Sequence, residues 1–397
     1  MVSYPIGLPQ HALDSTDALN RERFPQMKPA TPAPKGFSEW LTAGRPSFDE
    51  DAASQHGDAL AMILDGPSTS AETQWPASEL AACGLHGVHR WFLSEEQGGY
   101  GWAQEELLHG YRWLAGHSLK TAFILTQRVA AVKRIAQGAS EELTQWLPHL
   151  ADGSVFATVG ISHLTTSRQH MAAPALRARQ KNNSHWLLDG YCPWVTGAHH
   201  AKMLVIGASD SAGQSHFFAI PLPHPHIACH APESLLALQG SQTGKVELSD
   251  ATIPDAYRLR LPPGGDNSAG NLSTSVLALG LADRACRYLR EASSERPHLA
   301  DSAIQFQQQI DPLHQQLVDM ARGTTTDATP WTLRSSANEL VLRVTQAALV
   351  AAKGEGFLSH HPANRWVREA MFFLVWSCPA TVAQSHLDHW STTCSNS

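Results

Sequence analysis

The residue types in this chain best suited to chemistry are its 22 histidines and six cysteines, together with a tryptophan and a threonine two positions apart, Trp194 and Thr196. Imidazole binds metals and moves protons near neutral pH, and His199-His200, His224-Pro225-His226 and His360-His361 set such rings close together. Zinc sites draw on ligands at helical or CxxC-type spacing. None of these pairs has such a companion, so solvated or packed imidazoles are expected and no metal centre. Cys83, Cys192, Cys229, Cys286, Cys378 and Cys394 are scattered and form no CxxC pair. A chain of 397 residues has no need of disulfide staples, and a reduced, cytoplasmic setting is expected. A tryptophan near a threonine on a strand is, by itself, most often structural.

The elements that must position these groups fall into three blocks. Residues 1–36 are polar and Pro-rich (Pro29–Lys35) and read as an extended arm. Residues 37–153 carry helical periodicity: Glu105–Ala115 and Thr121–Ile135 repeat apolar residues at three- and four-residue steps, and Glu141–Leu150 reads as one short amphipathic helix. Over 154–262 the pattern changes to short apolar runs, Trp186–Leu188, Met203–Ile206, Phe217–Ile220 and Lys245–Leu248. Turn formers separate them, Asn182-Asn183-Ser184, Asp189-Gly190, Asp210–Gly213 and Pro221–Pro225, which predicts an antiparallel β-domain. Pro262-Pro263-Gly264-Gly265 reads as a linker, and helical periodicity returns over 263–390 before a short tail, 391–397. Phe306, Ile310, Leu313, Leu317 and Met320 form one apolar stripe, and Leu340, Val341, Val344, Ala348 and Ala351 another.

Charge and hydropathy exclude some partners. The net charge of −7 and pI of about 6.3 do not suit a nucleic-acid or anionic-membrane surface. No apolar run approaches the roughly 20 residues that cross a bilayer. The first residues show no basic stretch followed by an apolar one, so no signal peptide is expected.

Within this order, a set of motifs resembles the acyl-CoA dehydrogenase family over about residues 75–385. Leu93–Gly101 (LSEEQGGYG) is similar to the family's P-E-x-x-G-G-x-G loop, with serine in place of proline. Glu141–Gly153 resembles the helix and turn leading into the β-domain. Trp186-Leu-Leu-Asp-Gly190 and Trp194-Val195-Thr196-Gly197 resemble W-x-L-x-G and W-I-T-N/G. Ile161-Ser162-His163-Leu164 occupies the place of the V-T-E-P strand end, and Ser167 that of a downstream serine. Arg296, Leu299-Ala300 and Gln307 follow the spacing of the family's Arg, F-G and Gln, while Lys353-Gly354-Glu355-Gly356-Phe357 resembles G-G-x-G-Y. Pro362–Ala370 is similar to P-x-E-R-x-x-R-D-A.

The resemblance implies an α+β fold with an N-terminal helical domain, a middle antiparallel β-domain and a C-terminal four-helix bundle. It implies FAD as cofactor. Trp194 would pack on the flavin, Val195 and Thr196 would face the ring's N5 edge, and Ser162 would reach the pyrimidine. Donors aimed there stabilise the charge that arrives with hydride. Arg296 and Gln307, with the close backbone of Gly354 and Gly356, would serve the FAD of a neighbouring subunit in a homodimer or dimer of dimers.

The resemblance fails at the catalytic carboxylate. The family's usual glutamate position, nine residues after Arg368, is Ser377, and an alternative position, 26 residues before Arg296, is Gly270; Asp266 lies nearby. A neutral hydroxyl cannot abstract an α-proton at pH 7. Three readings follow: an FAD-dependent oxidoreductase of acyl thioesters with a displaced base and an electron acceptor; a flavin monooxygenase fed by a separate reductase, using Ser162, His163 or His386; and a catalytically silent flavoprotein.

Overall fold

A computed structural model describes residues 36–42, 55–66, 72–165, 174–262, 269–324 and 327–391. The arm before Gly36, the tail after Ser391, Ser167 and Asp266 lie outside these residues.

Helices α1 (Phe37–Thr42), α2 (Gln55–Leu64) and α3 (Ala77–Leu85) precede the two predicted long ones, which form as α4 (Gln104–His117) and α5 (Leu119–Gly138). Ser118 starts α5 by accepting the Thr121 N–H on its hydroxyl at 3.3 Å, a side-chain N-cap. The glycine-rich loop before α4 has a steric reason for its composition. A Cβ on Gly99 would fall 2.1 Å from the Leu93 carbonyl, and Gly98 holds a φ of +79°. The segment expected as one helix over Glu141–Leu150 is two, α6 (Glu141–Thr144) and α7 (Leu147–Asp152). Pro148 causes the break. It has no N–H to give, and in a continuous helix its ring would meet the carbonyl of Thr144.

Strands β1 (Ala157–Gly160), β2 (Leu176–Asn182), β3 (His185–Val195), β4 (Met203–Ser209), β5 (Ser215–Pro221), β6 (Ile227–Cys229), β7 (Gly244–Pro254) and β8 (Arg258–Leu259) form one sheet. Its order is β6-β7-β3-β2-β4-β5-β8, with β1 parallel to β4 and most other pairs antiparallel. The one-turn helix α8 (Ser162–Thr165) follows β1. Strand β4 is buried along its whole length: Leu204 and Ile206 enter the core of the sheet, while Met203 and Val205 face Val132 and Ile135 of α5. That explains its unbroken apolar run. Asp189-Gly190, expected as a hairpin turn, lies inside β3, where the pairing with β7 shifts register. Gly190 takes φ +127°, and a Cβ there would come 2.2 Å from the Ala175 carbonyl, so the glycine makes a bulge.

The C-terminal part holds α9 (Ala269–Ala292), α10 (Leu299–Ala321), α11 (Pro330–Ala352), α12 (Pro362–Phe372) and α13 (Ala380–Ser391). Both predicted stripes turn inward: Ile310 and Leu317 are buried on α10, as are Val341, Val344 and Ala348 on α11. Arg112 of α4 clamps Asp283 of α9 through two oxygens (2.5 and 2.9 Å) and Asp311 of α10 at 2.7 Å, tying N-terminal to C-terminal helices. The chain is therefore mixed α+β, helices flanking a central and mostly antiparallel sheet.

Candidate functional site

The end of β3 leaves one aromatic face open. Trp194 is 46% exposed, whereas Val195 and Thr196 beside it are buried. The Thr196 carbonyl accepts a hydrogen bond from the Thr158 hydroxyl at 2.6 Å, and its own hydroxyl shares one with Thr243 at 2.9 Å, which continues to Ser241 at 2.9 Å. Gly160, at the end of β1, is packed so closely on β3 that a Cβ would lie 3.0 Å from Val195. Ser162, two residues on, therefore shares this end of the sheet, but it opens the helix α8 and does not extend the strand. His163 is buried there, with Nε2 facing the Gly207 carbonyl at 2.9 Å and Nδ1 without a partner; burial lowers its pKa.

The loop after β6 joins this sheet end to a polar cleft among the helices. The segment holding Leu238 and Ser241 touches both sides: the Gly240 N–H donates to the Glu72 carbonyl at 2.8 Å, and a Cβ on Gly240 would sit 2.9 Å from Lys120 Cδ. Trp75 reinforces the joint by stacking on His200 (4.3 Å between centroids, 7° between planes) and closing over Gly197. The cleft is lined by charged groups from five helices and the Glu72 loop, together with Leu119, Leu238, Leu281 and Trp366.

Most of its acids are held. Glu72 takes Arg368 at 2.7 Å. Glu79 takes Lys120 at 3.4 Å, the Ser118 hydroxyl at 3.1 Å, and Thr121. Asp65 takes His117 at 3.0 Å and Arg284 at 3.2 Å. Burial works to raise the Asp65 carboxyl, but the His117 hydrogen bond and the charges of His117 and Arg284 keep it below its ordinary value. Glu369 on α12 differs. It is 5% exposed, Arg365 Nε stands 3.8 Å away, and burial pushes its carboxyl up to about 7 against the pull of Arg365. Sequence reasoning missed it. A signal was available: Ala363, Trp366, Ala370 and Phe373 form the buried stripe of this helix, and Glu369 sits on the same face.

The remaining expected site residues lie elsewhere. Ser377 is exposed in the turn after α12, at φ +44°, where Arg334 donates to the carbonyls of Phe373 and Trp376 at 3.2 and 3.1 Å. Trp376 packs edge-on against Phe123 of α5, 5.0 Å between centroids. His386 is buried on α13 beside Asn338 at 3.3 Å. Arg296 donates to the Ala351 carbonyl, which brings it to the end of α11 just before Gly354 and Gly356. Gln307 sits in a different group, receiving Arg290 at 3.1 Å and donating to Asp311 at 2.9 Å. Gly356 has a packing reason, since a Cβ would meet that of Ala352 at 2.7 Å; Gly354 has none within 4 Å. Lys353 takes φ 55°, ψ −144°, a backbone region that glycine favours.

No family model matches the chain. Among curated proteins it is 23% identical over 259 residues to the probable acyl-CoA dehydrogenase YngJ of Bacillus subtilis (strain 168), covering 59% of this chain and 67% of that protein. It is 24% identical over 265 residues to the mitochondrial short-chain specific acyl-CoA dehydrogenase of Rattus norvegicus, covering 59% and 62%. The matched stretch thus spans a little under two thirds of the rat protein's length. Among solved structures, butyryl-CoA dehydrogenase from Megasphaera elsdenii superposes with a TM-score of 0.72 at 17% identity, over 85% of this chain and 98% of that one. The chain is similar in sequence to acyl-CoA dehydrogenases over more than half its length and shares their fold. The same fold is shared by dibenzothiophene monooxygenase (TdsC) from Paenibacillus sp. A11-2, with a TM-score of 0.67, 15% identity, and coverage of 85% and 94%. The shared fold therefore leaves the reaction open.

Proposed function

We propose that this chain is a flavin-dependent oxidoreductase that oxidises the CH–CH group of an acyl thioester, with FAD as its flavin. The observation that carries the reading is the strand end of β3: an indole left 46% exposed at Trp194, next to a buried threonine whose hydroxyl is already hydrogen-bonded and oriented. A flat, electron-poor ring system such as an oxidised flavin would stack on such an electron-rich indole face. When bound, the flavin supplies a two-electron acceptor that takes hydride. Trp194 would stack on it, Val195 and Thr196 would lie at its N5 edge, and Ser162 would reach its pyrimidine side. Arg296, Gln307, Gly354 and Gly356 would meet the ADP half from a neighbouring subunit of a two-fold dimer, or of a dimer of dimers. The likeness to short-chain specific enzymes supports a short acyl chain. A separate electron acceptor would reoxidise the flavin. We assign the protein to the cytoplasm; among the described residues no helix is long and apolar enough to cross a membrane.

The test is purification with an absorbance spectrum, then anaerobic mixing with a panel of acyl-CoA thioesters. Bleaching of the yellow flavin supports dehydrogenation, and a dimer by light scattering supports the shared cofactor site. A flavin-free protein, or a monomer that holds FAD stoichiometrically, counts against the reading.

One group of observations favours a monooxygenase instead. Ser377 and its neighbours offer no carboxylate, Arg296 and Gln307 are both engaged within their own chain, and a TdsC structure of the same fold holds FMN. A flavin inert to every thioester, yet forming an oxygen adduct after chemical reduction, would select that reading.

A further inference from the structure

Glu369 is the carboxylate of the cleft that lacks a close counter-charge. Glu72, Glu79 and Asp65 each hold a cation within 3.4 Å, whereas Arg365 Nε stands 3.8 Å from Glu369 and makes no hydrogen bond of its own. An i,i+4 pair on one helix could close that gap with a rotamer change. Instead the carboxyl lines the cleft between Leu119, Leu238, Leu281 and Trp366. Burial of one loosely held carboxyl at this cleft suits a reaction that moves a proton from carbon, since desolvation strengthens a carboxylate base.

The cleft also adjoins the proposed flavin face. Leu238 lines it, and from the same short segment the hydroxyls of Ser241, Thr243 and Thr196 run in sequence to the end of β3. The Glu72 loop closes the other side, through Gly240 and through Trp75 over Gly197.

We propose that Glu369 is the base that removes the α-proton of a short acyl thioester bound in this cleft, replacing the carboxylate absent at Ser377. The inference rests on the dehydrogenase reading. The α-proton passes to a Glu369 oxygen, and the electron pair of that C–H bond becomes the second bond between Cα and Cβ. The hydride leaving Cβ is taken by the oxidised flavin, the two-electron oxidant of the proposed function. The charges around the carboxyl are Arg365 and Arg368 on its own helix, Lys120 on α5, Glu79 on α3, Glu72 on the loop before it, and His117 on α4 and Arg284 on α9, both paired with Asp65 after α2. With most of these paired among themselves, Glu369 is free to exchange a proton near neutral pH.

The experiment follows deuterium entering Cα of butyryl-CoA in D2O, beside single-turnover flavin reduction, in the flavin-loaded protein and its Glu369→Gln and Glu369→Asp variants. Loss of a general base costs roughly 100-fold or more, so Glu369→Gln should lose both rates by at least that factor while keeping its flavin spectrum and melting temperature. Glu369→Asp should recover part of the loss. If wild type reduces its flavin but Glu369→Gln stays within about threefold in both rates, the dehydrogenase reading survives and the role of Glu369 is overturned. If wild type neither exchanges the proton nor reduces its flavin with any thioester, the dehydrogenase reading falls, and this role with it. Should Glu369→Gln not fold, wild type alone decides. Its exchange rate should rise with pH through one ionisation between about pH 6 and 8, with a protonated-carboxyl infrared band disappearing over the same range. A flat profile overturns the proposal.

Discussion

His314 meets His109 at 3.0 Å where α10 packs on α4, and its ring is 5% exposed with Nδ1 buried and unpartnered. Burial first, then the charges of Arg112 and His109, push its pKa down to about 3. In the unfolded chain the ring titrates at its ordinary 6.5. Between these values the unfolded state binds more protons than the folded one, so falling pH withdraws stability, at roughly 1.4 kcal/mol per unit. The fall from pH 7 to pH 5 crosses about 1.5 units of that window, and His314 alone should withdraw about 2 kcal/mol. His314→Phe keeps the ring volume and removes the titration, leaving the half-exposed His109 to bond water. Urea unfolding of both proteins at pH 7 and pH 5 isolates the effect, because every other slope is common to the two. That includes Glu369, whose raised pKa gives a slope of opposite sign, stability lost as pH rises towards 7. Wild type should lose about 2 kcal/mol more than the variant on acidification. Equal losses, within roughly 0.5 kcal/mol, would refute the assignment of a neutral, proton-excluding His314.

Three further outcomes are expected. Lys353→Gly should raise stability by about 1 kcal/mol, as relief of a strained backbone outweighs the entropy that glycine adds to the unfolded chain; an unchanged or lower melting temperature contradicts the strain at φ 55°. Thr196→Ala removes one partner of the Thr243–Ser241 hydroxyl chain and should weaken flavin binding by about 1 kcal/mol, roughly fivefold, read by fluorescence titration of the apoprotein; an unchanged affinity and redox potential would place the flavin elsewhere. Ser377→Ala should keep most native turnover, because an unactivated hydroxyl has no base of its own in the turn with Trp376, Cys378 and Pro379; complete loss of flavin reduction with the cofactor still bound would show that the residue is needed.

Much of the architecture was legible in the sequence. The steps of Phe306–Met320 and Leu340–Ala351 determined which helix faces turn inward, since a 3.6-residue repeat leaves an amphipathic segment few other ways to bury its apolar side. The alternation and turn residues between Val155 and Leu261 determined a sheet, and the order of motifs pointed to the fold that butyryl-CoA dehydrogenase shares. Local signals failed where a residue's role depended on distant neighbours. Asp189-Gly190 has the composition of a turn, but β7 and Ala175 pack against it and make a bulge. Pro148 split a helix whose apolar pattern was continuous. Trp194 and Thr196 were singled out by their resemblance to W-I-T-N/G, but which of them is open and which is tied to Thr243, 47 residues away, was decided by the pairing of β3 with β7. Glu369 makes the contrast clearest. Its place on the apolar stripe of α12 hinted at burial, but only the convergence of α12 with the Glu72 loop and helices α3, α4, α5 and α9 removes it from water without giving it a close partner. Burial is a property of what surrounds a residue, and a one-dimensional pattern carries no information on which distant segments will arrive there.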